Sequence, residues 1–338
     1  MSKYPIRRIS AVLVVALAAV AQQTTPPKGP LVEDDSGQTI SVDVDVVTMY
    51  ATVRNKQNGL VSTLSKDDFD LREDGAKQTV KYFSRETNIP LTMGLLVDVS
   101  GSQQNLIEIE RHAASAFFRS VLKSKDVAFL LSFGADAELL QDVTGSPRLL
   151  DDGLGRLKLN AGFSGINSGP VPTMNHPRGT VLYDAVYLAA NDMLAHEAGR
   201  KAIILITDGE DQGSRETEKQ AIESALKADA IIYGILYVDR GFYMRSGGGM
   251  SVGGYSGSSV LRHMAEETGG RMFEVRGKDT LDSVFAQLQD ELRTQYMLGY
   301  TPTNSKKDSS FRKIDLKTAQ KDQKVQVRKG YYAIPAQP

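Results

Sequence analysis

The 338-residue sequence predicts an α/β fold: a doubly wound, mainly parallel, Rossmann-like sheet inserted in a small antiparallel β-sandwich. Three observations predict it. Apolar runs at 93–97, 127–131, 202–206 and 231–236 do not alternate, as expected of strands covered on both faces. Amphipathic stretches separate them, and repeated strand–helix alternation demands a mainly parallel sheet with helices on both sides. The flanks, 39–88 and 293–335, instead alternate with period two and carry Asn, Asp and Gly turns, the pattern of half-buried antiparallel strands. Neither flank holds enough strands for a core of its own, so the economical fold joins the two across the α/β unit at 89–292.

In chain order, Lys3, Arg7 and Arg8 precede an apolar run at 9–21 that ends Ala19-Val20-Ala21. A charged start, a short apolar core and a small-residue exit predict a secretory signal peptide over 1–21. The run is shorter than the ~20 residues a bilayer span requires, so no permanent membrane anchor is expected. The mature chain is expected to begin near Gln22 and to be exported, to a periplasm or to the extracellular or cell-surface space. Residues 22–38 are polar and carry Pro26, Pro27 and Pro30, which predicts a flexible leader.

Strands are expected near 40–53, 69–71 and 79–83. After the apolar run at 93–97, a helix at 106–121 carries Leu106, Ile109, Ala113, Ala116 and Phe117 near helical spacing. Further helices are expected at 148–157, 182–196, 216–228, 260–268 and 281–292, with short strands at 138–140 and 271–275. Two Gly- and Ser-rich segments, 160–178 and 241–258, break the pattern; loops that long are functional or disordered, and both should open on the strand-end edge of the sheet. Tyr243, Met244 and Tyr255 in the second are read either as a contact surface or as part of a floppy insertion. The tail returns to alternation at 295–300, 312–316 and 324–328.

Lys plus Arg total 40 against 41 Asp plus Glu, a formal charge of −1, so no broad basic face is implied and nucleic acid is not an expected partner. The absence of cysteine removes disulfides, thiolate nucleophiles and zinc–thiolate sites together.

The chemistry concentrates in Asp98-Val99-Ser100-Gly101-Ser102. One carboxylate and two hydroxyls fall at alternate positions where the first parallel strand should end, and ligands of open α/β sheets sit beyond those strand ends. Small oxygen donors on one tight turn suit a hard divalent cation. Each residue has an ordinary alternative: Asp98, Ser100, Ser102 or Thr180 could cap a helix, and Asp208-Gly209 could be only a turn. Glu210 and Asp211 share that turn and are read as solvated or as outer partners.

The Asp-x-Ser-x-Ser pattern resembles the metal-ion-dependent adhesion site of von Willebrand factor type A domains. Gly179-Thr180-Val181-Leu182-Tyr183-Asp184-Ala185 is similar to that family's threonine segment, and Ala202-Ile203-Ile204-Leu205-Ile206-Thr207-Asp208-Gly209 to its aspartate-bearing strand. The flanks, Asp68-Phe69-Asp70-Leu71-Arg72-Glu73-Asp74-Gly75 and Gln295-Tyr296-Met297-Leu298-Gly299-Tyr300-Thr301-Pro302, resemble segments of exported bacterial proteins of acidobacterial type that carry such domains. The resemblance implies that Ser100 and Ser102 bind the ion directly, Thr180 directly in a ligand-ready state, and Asp98 and Asp208 directly or through water. A shell rich in neutral hydroxyls leaves the ion under-neutralised, so it seeks an Asp or Glu carboxylate on a protein partner. Mg²⁺ fits best, with Ca²⁺ or Mn²⁺ as alternatives. The implied function is metal-dependent protein binding or adhesion; the alternative is a structural or assembly role in an envelope complex, with a vestigial or merely stabilising site.

Enzyme readings are weaker. Gly249-Met250-Ser251-Val252-Gly253 matches a nucleophile-elbow spacing, but no strand precedes it. Asp43-Val44-Asp45 resembles an aspartyl-phosphatase motif, yet its aspartates alternate along a half-exposed strand. His112, His176, His196 and His263 show no paired ligand spacing, and no phosphate-cradling Gly-x-x-x-x-Gly-Lys motif is present. Oligomeric state is not legible.

Overall fold

The computed structural model describes residues 32–33, 39–40, 46–85, 89–160, 179–239 and 253–335, with side chains in the last span from 257 onward. The expected signal peptide, most of the leader, Asp43, Asp45, His176, Ser251 and the greater part of both Gly- and Ser-rich segments lie outside these residues. Two compact units divide at residue 44. In the first, β1 (Val32–Glu33) pairs antiparallel with β2 (Thr39–Ile40).

The second unit begins with β3 (Val47–Arg54), β4 (Phe69–Glu73), β5 (Ala76–Gln78) and β6 (Val80–Ser84). The chain then enters the α/β unit through β7 (Leu91–Asp98), every residue of which is buried. Helix α1 (Ile107–Val121), β8 (Val127–Phe133), β9 (Ala137–Thr144) and α2 (Pro147–Leu154) follow. Next come α3 (Leu182–Leu188), β10 (Arg200–Thr207), α4 (Glu218–Lys227) and β11 (Ala230–Leu236). Helix α5 (Gly253–Thr268), β12 (Met272–Glu274) and α6 (Leu281–Leu292) close it.

Six strands form one sheet in the order β12-β11-β10-β7-β8-β9, parallel except for the edge strand β9. Alternate residues of each central strand feed opposite faces. Leu91, Met93, Leu95 and Val97 pack with Phe117, Phe118 and Phe285 under α1 and α6. Leu96 joins Phe129, Leu182, Val186 and Leu261 under α3, α4 and α5. Burial on both faces is why these strands read as unbroken apolar runs. Gly94 belongs to the second face, where a Cβ would lie 2.2 Å from the Phe129 ring; the missing side chain lets that ring fill the layer.

The chain leaves α6 into β13 (Tyr296–Tyr300), β14 (Phe311–Thr318), β15 (Lys324–Gln326) and β16 (Gly330–Tyr332). These interleave with the N-terminal strands as β15-β3-β13-β6 and β16-β14-β4-β5. Met49, Val53, Leu71, Tyr296, Leu298, Ile314 and Leu316 fill the space between the two sheets, so the α/β unit is inserted in an antiparallel sandwich. The flanking motifs supply its polar ties. Tyr300 donates to Glu73 at 2.5 Å, and Tyr296 donates to the Val61 carbonyl at 2.8 Å.

Four expectations need correction. The strand expected at 138–140 runs through eight residues, Ala137–Thr144, because pairing with β8 tolerates two register shifts that interrupt its alternation. The helix expected at 182–196 widens after Leu188 into a π-helical stretch, Ala189–Leu194. Helix α5 begins at Gly253, inside the segment expected to be loop to 258, where its glycines hide a helix start. In α1 the buried stripe is Ile107, Glu110, Ala113, Ala114, Phe117, Phe118 and Val121; Ile109 and Ala116 face outward.

Candidate metal centre

All three segments singled out by the sequence reach one rim of the six-stranded sheet. Strand β7 ends at Asp98, which is fully buried. The next residues turn sharply: the Ser100 amide donates to Asp98 Oδ1 at 2.9 Å, and a 3₁₀ turn at Gly101–Gln103 leads toward α1. This turn brings Ser100 Oγ and Ser102 Oγ within 3.1 Å of each other.

The neighbouring strand β10 ends at Thr207, whose hydroxyl donates to Asp98 Oδ2 at 2.6 Å. Asp208 follows, 2% exposed, with Oδ1 accepting the Glu210 amide at 3.1 Å. Gly209 takes a φ of +83°, a conformation disfavoured for side-chain-bearing residues, and so turns the chain at once. Its backbone packs against Gly257 of α5, where a Cβ would fall 2.1 Å from the Asp208 carbonyl oxygen.

Thr180 is pinned by backbone on both sides. Its carbonyl accepts the Gln212 amide at 3.0 Å, while the next amide, of Val181, donates to the Gly134 carbonyl at 2.9 Å beyond the end of β8. Asp211, read from sequence as solvated or as an outer partner, accepts from Ser214 Oγ at 2.5 Å; that hydroxyl also accepts the Tyr183 and Asp184 amides at 3.0 and 3.1 Å. The 208–214 loop therefore caps α3 and holds the threonine segment against the rim.

Electrostatically the rim brings two buried carboxylates into range of each other. Burial first, then the charge of Asp208, push the Asp98 carboxyl up to about 7, against the opposing hydrogen bonds from Ser100 and Thr207. Two buried carboxylates in mutual range repel unless a proton or a cation stands between them. The donors are all oxygen, with two carboxylates and three hydroxyls on three segments, which is the chemistry of a hard divalent ion rather than of zinc held by nitrogen and sulfur. Among the described residues no three His, Asp or Glu side chains form a metal cluster, so a site here would depend on its hydroxyls.

Two buried polar residues escaped the sequence reading. Thr207 stands next to a flagged aspartate, but only strand pairing shows it facing Asp98. Glu110 is fully buried on α1, and its position in the 110–113–114–117 stripe is the signal that would have found it. Of the histidines, His263 pairs with Glu218 at 2.6 Å on the α4–α5 surface, away from the hydroxyl cluster in sequence and partners. Among the described residues no helix is long and apolar enough to cross a membrane.

No protein-family model matches the sequence, and no curated protein matches it. Solved structures do. An aerotolerance-related membrane protein from Bacteroides fragilis is 16% identical, with a TM-score of 0.44 over 60% of this chain and 98% of its own. Proximal thread matrix protein 1 from the mussel byssus, with a zinc-occupied MIDAS motif, is 12% identical, with a TM-score of 0.45 over 65% of this chain and 49% of its own. A von Willebrand factor type A protein from Catenulispora acidiphila is 12% identical, with a TM-score of 0.45 over 86% of this chain and 73% of its own. At such identities and scores the reading rests on the rim itself. In its six-stranded, mainly parallel sheet, and in the Asp98-x-Ser100-x-Ser102, Thr180 and Asp208 segments gathered along one edge, the α/β unit is von Willebrand factor type A-like.

Proposed function

We propose that the protein is an exported, metal-dependent protein-binding module. Asp98, Ser100, Ser102, Thr180 and Asp208 would hold one divalent ion, and that ion would take an Asp or Glu carboxylate of a protein partner. When bound, the ion supplies an electrophilic position for an external oxygen anion. The chain's own residues do the rest. Ser100 and Ser102 present neutral oxygens, Asp98 and Asp208 supply the compensating charge from beneath, and Thr207 orients Asp98.

The observation that carries this reading is the pair of buried carboxylates beside a hydroxyl couple at a sheet rim. Mg²⁺ is the favoured ion. It takes about six oxygens in near-octahedral geometry and commonly retains water, which suits a small cluster of hydroxyls and carboxylates. Export rests on the charged and apolar opening of the sequence, residues 1–21.

Capture tests the reading. Immobilised protein should retain a partner from envelope extract in Mg²⁺ and release it into EDTA, and Asp98→Ala should retain none while keeping its circular dichroism. Capture indifferent to both would instead support a structural or assembly role.

A further inference from the structure

The helical segment that leaves the Ser100–Ser102 turn carries a second set of oxygens. Glu110 is fully buried, and neither carboxylate oxygen meets a donor among the described residues. Gln103, immediately after Ser102, is also fully buried; its Nε2 donates to the Tyr237 carbonyl at 3.2 Å. Because a carbonyl only accepts, that bond fixes the amide's orientation and leaves Oε1, which has no donor, on the other side. Gln103 and Glu110 follow one another on one backbone ladder: the Leu106 amide donates to the Gln103 carbonyl at 2.8 Å and the Glu110 amide to the Leu106 carbonyl at 2.9 Å. Glu110 also lies within electrostatic range of Asp98, and no basic side chain among the described residues is seen to offset its burial.

Gln103 and Glu110 thus bring buried acceptors without donors. An unmet buried acceptor forfeits the hydrogen bonds it had in water, and a carboxylate forfeits more. A neutralised Glu110 alone would satisfy part of this, but three donor-less oxygens on the segment that follows the hydroxyl turn suit hydrogen-bond donors supplied from the rim. Water bound to a divalent cation is such a donor, and Mg²⁺ commonly retains water.

We propose that Glu110 is the outer anion of the metal centre, accepting hydrogen bonds from ion-bound water at the Ser100–Ser102 turn, with Gln103 Oε1 as a second acceptor. The inference rests on the metal reading of the rim and extends it. Glu110 adds a third negative charge that never touches the ion, so the ion is held more tightly without losing its open position for a partner carboxylate. Outer partners of this kind typically change metal affinity roughly ten- to hundredfold.

Calorimetric titration of Mg²⁺ into the full-length, EDTA-stripped and dialysed protein tests it, alongside melts in EDTA and in Mg²⁺. Glu110→Gln keeps the shape and removes the charge. It should bind Mg²⁺ at least tenfold more weakly than wild type, melt in EDTA no lower than wild type, and gain less on Mg²⁺ addition. Wild-type affinity in Glu110→Gln overturns the proposal while leaving the metal reading intact. A wild-type protein that binds no Mg²⁺ removes both. Should Glu110→Gln fail to fold, Gln103→Leu decides: weakened Mg²⁺ binding supports the proposal, and unchanged binding overturns it.

Discussion

Asp98 has the most exposed thermodynamic signature of any residue at the rim. Without metal its folded carboxyl holds a proton up to about pH 7, against 3.8 for an ordinary aspartate. A raised carboxylate pKa favours the fold fully below the unfolded value, and that contribution is lost as pH rises through the folded one. Stability in EDTA should therefore fall between about pH 4 and pH 7 by an amount on the order of a few kcal/mol. A divalent ion displaces the proton, so the rise in melting temperature on adding Mg²⁺ should be small at pH 5 and larger at pH 8. Asp98→Asn should flatten both trends; a Mg²⁺ effect equal at the two pH values would contradict the assignment. Gly257 offers a second test at this scale. Its replacement by Ala drives a Cβ into the Asp208 carbonyl and should cost about 1–3 kcal/mol, measured by urea unfolding, together with weakened Mg²⁺ binding.

The same residues show what sequence can and cannot disclose about a site. Asp98, Ser100 and Ser102 are legible because their donors are local, spaced along one strand end. Thr207 and Glu110 are not. Their roles depend on which strand lies beside β7 and on the rotational phase of α1; of the five residues that suggest that phase, Leu106, Ala113 and Phe117 are buried, but Ile109 and Ala116 face outward.

Among the elements, the central strands and the last helix were the most legible. Both-face burial writes an unbroken apolar run, and α6 carries capping and an apolar stripe, with Thr280 accepting the Ser283 amide at 3.3 Å and Leu281, Val284, Phe285 and Leu288 buried. Where propensity and packing disagree, legibility fails. Helix α5 starts among glycines because close approach to the 207–209 turn excludes side chains at Gly257. Strand β9 is half-exposed and irregular, so its pattern is short of its length. Helices α1 and α6 meet through Phe117 and Phe285, stacked at 4.4 Å with an interplanar angle of 17°. Phe285→Ala should therefore cost about 3–5 kcal/mol in urea unfolding; a loss below about 1 kcal/mol would mean the two helices do not share this core.

Over the whole molecule, the sandwich and the α/β unit are joined at the edge where the parallel strands begin, opposite the rim. Glu291 near the end of α6 is fully buried and accepts from Arg54 of β3 at 2.5 Å, Arg271 at 2.7 Å and Gln326 of β15 at 2.6 Å. Arg200, opening β10, donates to the Leu292 carbonyl at 2.5 Å, and Gln295 reaches the Tyr233 hydroxyl at 3.1 Å. Removing one partner of such a set strands the remaining buried charges, so Glu291→Ala should cost about 3–5 kcal/mol. Its melt should lose the single transition expected of a jointly packed pair of lobes; wild-type stability in this variant would show that the junction is not held by this carboxylate. The joining of the strands at 47–84 with those at 296–332 was legible from the insufficiency of either flank, whereas this polar junction was not, since Arg54 stands far from Glu291 and Gln326 in sequence.

The account turns on one ion. A crystal structure grown in Mn²⁺, with diffraction collected across the manganese edge, should show a single anomalous peak bounded by Asp98, Ser100, Ser102, Thr180 and Asp208. No peak there, or one held by other residues, would contradict it.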